Sequence, residues 1–196
     1  MGMREIEIKQ QVLVRIQALV KQKGTIVAAI DGRCASGKSQ FGEWLKQAME
    51  GNLIPMDDFF LRPEQRTKKR YATPGENVDH ERFLMEVLYP LQKREAFAYR
   101  PFDCSIMDVG AAVEVKPLAV TIVEGSYAMR KEFQPYYDYK IFMTVHPEKQ
   151  MQRIQQRNPA KVQDFKEKWI PYEEKYFTTF AVAKDCDIII DTTDLF

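Results

Sequence analysis

The sequence predicts an α/β protein built on a mainly parallel sheet. Three observations carry this. Short apolar runs, rich in β-branched residues, at 25–31, 118–125 and 140–145 read as buried strands, the first on both faces, and 187–191 reads as a last short strand. Segments with helical periodicity alternate with them. A glycine-rich turn joins the first of these strands directly to a helix, as in folds that wind helices around a parallel sheet.

Each element follows in order. Residues 6–23 read as an amphipathic helix, because Ile6, Leu13, Ile16, Leu19 and Val20 recur at helical spacing among Lys and Gln, and Gly24 stops it. The strand at 25–31 leads through the glycine-rich turn into a helix at 38–49. Residues 53–57 are a second short strand, weakened by Pro55, which lacks a ladder donor. Residues 61–77 carry Arg62, Arg66, Lys68, Lys69 and Arg70 with no clear period and read as a surface flap. A helix is expected at 78–93 with Asp79 as its N-cap, and an irregular stretch or hairpin at 97–108. After the strands at 118–125 and 140–145, Pro147 starts a helix that runs to Arg157, with His146 as its cap. Residues 161–183 are expected to be helical, interrupted near Pro171, before the last strand. The aromatic residues Trp169, Tyr172, Tyr176, Phe177 and Phe180 are expected in the core. One domain, 1–196, is the expected organisation, with the first helix as an appendage, the flap at 61–77 and a lid at about 153–176.

Basic and acidic side chains number 29 and 28, which argues against a broad nucleic-acid or membrane footprint. The expected partner is therefore a small-molecule substrate; self-association into a homo-oligomer is left open by the sequence. The three cysteines, Cys34, Cys104 and Cys186, are far apart and read as free thiols of a reducing compartment. With no signal-peptide pattern at the N-terminus and no membrane-length apolar run, the cytoplasm is the expected location.

The strongest motif is Gly32-Arg33-Cys34-Ala35-Ser36-Gly37-Lys38-Ser39, followed by Gln40. Gly-x-x-x-x-Gly-Lys-Ser is the P-loop pattern, and at average composition it arises by chance in roughly one chain of this length in a hundred. Its glycines let the backbone wrap a phosphate, which then meets backbone N–H groups and a helix N-terminus. Lys38 is expected on the β- and γ-phosphates and Ser39 on Mg²⁺. This predicts a P-loop NTPase three-layer fold that binds ATP or GTP. Glu124, at the end of the 118–123 run, is the best carboxylate to support the metal, with Asp31 a weaker one.

No Asn-Lys-x-Asp segment occurs, which argues against a GTPase. In-line phosphoryl transfer to an alcohol needs a carboxylate to orient the hydroxyl and take its proton. Asp57 is placed to do this, with Asp58 beside it as the rival. Cations must offset charge in the transition state; Arg153 and Arg157 lie four residues apart, on one helix face, just before the lid. These features fit a small-molecule kinase.

At this point the chain resembles the uridine kinase family from about Thr25 to Asp191. The phosphate loop matches; Asp57-Asp58-Phe59-Phe60 resembles that family's Asp-Ser-Phe-Tyr segment; Asn77-Val78-Asp79-His80 resembles Asn-Phe-Asp-His; Arg100-Pro101-Phe102-Asp103 resembles Pro-x-Tyr-Asp; Val123-Glu124-Gly125 resembles Phe-Glu-Gly; and 183–190 resembles a run ending Ala-Asp-Val-Ile-Ile. The resemblance implies a nucleoside-kinase type of fold with five parallel strands, ATP and Mg²⁺, and Asp57 as base. It also implies Asp79 on ribose hydroxyls, Arg100 and Asp103 at a base pocket, and lid arginines at 153 and 157. The departures fall on the acceptor side. Phe60 stands for Tyr, Asp58 for Ser, and 104–108 lacks the family's base-reading His. Pantothenate kinase and phosphoribulokinase share this layout. A non-nucleoside acceptor, or a nucleotide-binding regulatory module with little phosphotransfer, therefore stands beside the nucleoside reading. The basic run 62–70 either clamps a substrate phosphate or lies solvated.

Overall fold

The computed structural model describes residues 2–195. Helix α1 (Met3–Lys23) ends at Gly24, whose N–H closes the last turn on Val20 O. Its Val12, Ile16 and Leu19 are buried together with Phe41 and Leu45 of α2 (Lys38–Met49). The segment expected as an appendage thus belongs to a core, and burial of each of those three side chains stabilises it by about 1.5–3 kcal/mol at most.

Five strands form the parallel sheet: β1 (Ile26–Gly32), β2 (Asn52–Pro55), then, beyond the small strands described below, β7 (Val120–Glu124), β8 (Tyr139–Thr144) and β9 (Ile188–Asp191). Their order is β2-β7-β1-β8-β9, and every neighbouring pair is parallel. β1, β7 and β8 are almost wholly buried, which explains their unbroken apolar runs. Pro55 is tolerated because β2 lies at the sheet edge, where a missing donor breaks no central ladder. The strand stops at Pro55, earlier than expected, and a 3-10 turn at Met56–Phe59 carries Asp57 out of the sheet.

The other face is covered by a second core that includes Phe59, Phe83, Leu88, Phe133, Phe142 and Tyr176. The flap at 61–77 is partly ordered: it holds α3 (Lys68–Ala72), capped by Thr67, whose hydroxyl accepts Arg70 N–H at 3.1 Å. Next, α4 (His80–Phe83) passes through a π turn at Leu84–Leu88 into α5 (Tyr89–Lys93). The stretch at 97–108 is only partly a hairpin. β3 (Phe97–Tyr99) pairs with β6 (Val113–Val115), enclosing the shorter pair β4 (Phe102–Asp103) and β5 (Asp108–Val109). Strands of two or three residues are too short for an alternation pattern to register in sequence.

After β8 come α6 (Pro147–Arg157) and α7 (Val162–Asp164), which continues through a π turn at Phe165–Trp169 into α8 (Ile170–Phe180). Both π turns sit just before a proline, Pro90 or Pro171. A proline ring clashes with the carbonyl four residues back, and the widened turn relieves it, so the helix expected to break at Pro171 carries on. No helix among the described residues is long and apolar enough to cross a membrane.

Candidate active site

The C-terminal ends of β2, β7 and β1 lie side by side, with Pro55 opposite Glu124 and Glu124 opposite Ile30. The phosphate loop, Glu124 and Asp57 therefore open into one crevice, the usual place for a ligand on a parallel sheet. It is a cleft of about 1120 Å³, lined among others by Lys38, Ser39, Asp57, Glu124, Arg157 and Trp169. That is ample for a nucleotide and a small acceptor together.

The loop's shape depends on Gly32. A Cβ there would lie 1.9 Å from the carbonyl oxygen of Met143 on β8, and φ is +136°. Only glycine lets β1 pass so close to β8 before turning. Gly125 does the same next to Glu124, where a Cβ would lie 2.7 Å from Cβ of Met56. Close approach of these two strand ends brings Glu124 near the turn that bears Asp57.

Lys38 Nζ donates to the carbonyls of Gly32 (2.8 Å) and Arg33 (2.9 Å), within the loop. The Ser39 hydroxyl donates to Glu124 Oε2 at 3.3 Å. Glu124 is buried, and desolvation raises its pKa above the usual carboxylate value against the pull of Lys38; Asp57 and Asp58 add to the rise. A serine hydroxyl and a carboxylate this close are the hard oxygen donors that suit Mg²⁺. Asp57 opens into the cleft, yet its walls desolvate the carboxyl and raise its pKa, while Lys38 and Arg157 oppose the rise.

Adjacent Asp58 points elsewhere. Its Oδ2 accepts Tyr99 Oη–H at 2.6 Å and its carbonyl accepts from Arg82 at 2.7 Å. It does not line the cleft, so geometry separates the two aspartates that sequence left as rivals.

The loop is also braced from behind. Asp31, fully buried, accepts hydrogen bonds from the N–H groups of Gly32 (2.6 Å), Tyr127 (3.2 Å) and Met129 (2.8 Å) and from Tyr176 Oη (2.9 Å). Burial pushes its pKa up to about 6, and those donors limit the rise. With this satisfied shell it is an anchor of the loop, not a metal ligand. From α8, Glu174 pairs bidentately with Arg33 at 2.5 and 2.9 Å. Cys34 is buried and its thiol is pushed far above the ordinary range, so it is a poor target for oxidation.

The two arginines of α6 differ in their partners. Arg153 donates to Ala35 O (3.2 Å), Thr192 Oγ1 (3.0 Å) and Thr192 O (2.6 Å), tying α6 to the loop and the end of β9. Arg157, one turn on, is exposed in the cleft and acts electrostatically on Asp57. Of the loop residues, Cys34, Ala35, Gly37, Lys38, Ser39 and Gln40 line the cleft; Gly32, Arg33 and Ser36 support it from outside.

The residues expected at the acceptor do not gather there. Asp79 is buried, caps α4 by accepting Arg82 N–H at 3.3 Å, and lines no part of the cleft. Arg100 is exposed, its backbone bound to Glu86, and Asp103 turns to Ser105. Phe102, Cys104 and Met107 of the same segment line the cleft instead. Tyr176 and Phe177 are buried as expected, but Trp169 lies on the cleft wall. His80 faces Glu76 and Glu81; Arg70 and Arg130 already occupy those carboxylates, so the cluster is an ion-pair network.

No protein-family model matches the chain, and no curated protein matches it in sequence. Solved structures do match. A possible uridine kinase from Bacillus stearothermophilus is 20% identical, covers 92% of this chain and all of its own, with a TM-score of 0.66. A protein from Silicibacter sp. TM1040, provisionally named a fructose transport system kinase, is 22% identical over 85% of this chain and 93% of its own, with a TM-score of 0.67. YFH7 from Saccharomyces cerevisiae, provisionally named a P-loop kinase with a circular permutation, is 11% identical over 95% of this chain and 99% of its own, with a TM-score of 0.66. At these identities the likeness is one of fold. The chain has the fold of P-loop kinases, with the five-stranded parallel sheet that the resemblance to uridine kinases implied.

Proposed function

We propose that this chain is an ATP-dependent kinase that transfers the γ-phosphoryl group to a hydroxyl of a small molecule. The observation that carries the proposal is the convergence of Lys38, Glu124 and Asp57 in one cleft, each on the end of an adjacent parallel strand or its following turn. The backbone N–H groups of the loop and Lys38 hold the triphosphate. Ser39 and Glu124 would hold Mg²⁺, which when bound would neutralise phosphate charge.

The acceptor oxygen attacks the γ-phosphorus as the bond from that phosphorus to the β–γ bridging oxygen breaks. ADP leaves with the bond's electron pair, and the hydroxyl proton passes to Asp57. Desolvation raises the pKa of Asp57 and makes it a stronger base than a free aspartate, while Lys38 and Arg157 oppose that rise. Arg157 offsets charge as it moves toward the leaving oxygen. Closure of the lid between its anchored ends, Arg153 and Glu173, would exclude water and suppress hydrolysis.

The nucleoside acceptor of the uridine kinases rests on the resemblance alone, and Asp79, which that reading needs, serves as a helix cap. The test is ADP release from Mg-ATP with nucleosides, pantothenate and sugar phosphates as acceptors. Acceptor-dependent release supports the proposal. Bound ATP without release for any acceptor favours a nucleotide-binding regulatory module.

A further inference from the structure

Outside the cleft, the arginines of the flap and its neighbours are matched to carboxylates: Arg62 to Glu64 (3.4 Å), Arg70 to Glu81 (2.5 Å), Arg82 to Asp79 (3.4 Å) and Arg130 to Glu76 (3.0 Å). Inside it the pattern reverses. Arg66 fixes its Nε on Leu61 O at 2.9 Å and lays its guanidinium over the Phe102 ring at 5.8 Å, with no carboxylate partner among the described residues. Lys168 Nζ sits over Tyr71 (5.0 Å) and Trp169 (4.3 Å), again with no carboxylate partner among them. Both side chains line the cleft. Arg66 belongs to the segment that leaves β2 after Asp57, and Lys168 stands over the same segment at Tyr71, so both flank the acceptor side.

The cleft's carboxylates do not balance these charges. Glu124 is bonded to Ser39. Glu173 is bonded to Cys34 N–H and Ser126. Only Asp57 remains on the acceptor side, and its role is to take a proton. A sugar diol is usually read by carboxylate or amide acceptors, whereas a guanidinium anchored at Nε and backed by an aromatic face presents its other N–H groups in a fork that fits a planar or tetrahedral anion. Aromatic rings hold the two cations in place without neutralising them, and their field favours an anion entering the cleft that both line.

We propose that the acceptor carries an anionic group, a carboxylate or a phosphate ester, besides the hydroxyl that is phosphorylated, and that Arg66 and Lys168 bind it. This rests on the kinase reading above and narrows it. The two sources of that anion, hydroxy acids and sugar monophosphates, share the recognition chemistry.

The test measures ADP release from Mg-ATP with hydroxycarboxylic acids and sugar monophosphates, each beside its neutral parent alcohol or sugar, and with nucleosides. Turnover is expected with an acid or a phosphate ester and at least tenfold lower kcat/KM with its neutral parent. Which arm responds identifies the anion. Arg66→Ala and Lys168→Ala should each raise KM for that acceptor tenfold or more, leaving KM for ATP within about twofold. Lys69→Ala, on the exposed side of the flap, should leave both unchanged. Turnover of neutral acceptors with KM indifferent to Arg66→Ala and Lys168→Ala overturns the inference and leaves the kinase reading intact. A rise confined to KM for ATP also overturns it, since the two cations would then serve the triphosphate. Silence with every acceptor while ATP binds removes the kinase reading and this inference with it.

Discussion

The carboxylate of Glu173, on α8, accepts the backbone N–H of Cys34 in the phosphate loop at 2.9 Å, and its other oxygen accepts Ser126 Oγ–H at 2.6 Å. The residue is 5% exposed. With the Glu174–Arg33 pair beside it, this contact makes α8 a brace for the loop.

Glu173→Ala should therefore cost about 1–3 kcal/mol of stability, because it leaves the buried Cys34 N–H unpaired, and should raise KM for ATP about tenfold. Glu173→Gln should be mild. Its carbonyl can still accept from Cys34, and its amide can donate to the Ser126 oxygen. Thermal melts and ATP titrations of both variants check this. Equal losses in the two would show that the charge, not the hydrogen bonds, matters.

Asp31 sets a pH dependence of stability. Its pKa is about 6 in the fold against 3.8 unfolded, so the native state holds the proton more tightly. The stability this contributes is fully present below pH 3.8 and is lost as pH rises through about 6, an effect of about 3 kcal/mol. Asp31→Asn should lower stability overall, since an amide cannot accept from all four donors, and should flatten the slope between pH 4 and 6. Denaturant melts across that range read both. An unchanged slope would contradict the role given to burial.

Ser39 and Glu124 are the metal's expected ligands. A chelator should abolish turnover and Mg²⁺ restore it. Glu124→Gln should raise the Mg²⁺ concentration needed for half-maximal rate by tenfold or more, as a neutral amide binds a hard cation more weakly. Burial raises the pKa of Glu124 and of Asp57, and both act ionised. The rate should thus fall on acidification at a pH above the ordinary carboxylate range, with the alkaline side unaffected by these two groups. A metal titration identical in Glu124→Gln and wild type would sink the ligand assignment.

What was legible in the sequence is local. The phosphate loop and the buried strands announce themselves through contiguous residues, and each strand of the five-stranded sheet was readable as an apolar run. The hidden parts depend on direction and distance. Asp57 and Asp58 are neighbours that a 3-10 turn sends to different surroundings. Arg153 and Arg157 share a helix face and both line the cleft, yet only Arg153 is tied to the loop carbonyl of Ala35 among the described residues. Glu173 left no sequence signal, since its partner Cys34 is 139 residues away. Asp79 carried two readings, helix cap and ribose ligand; the cap follows from local chemistry, and that is the role its hydrogen bond to Arg82 N–H fills.

The proposed chemistry turns on Asp57 taking the acceptor's proton. The most direct test is the acceptor-dependent turnover of Asp57→Asn beside wild type, with ATP affinity measured on the same samples. Asp57→Asn should lower kcat by about 10²–10⁴-fold with the Kd for ATP within about twofold. Turnover that is unchanged in Asp57→Asn, or lost only in step with ATP affinity, would contradict that role.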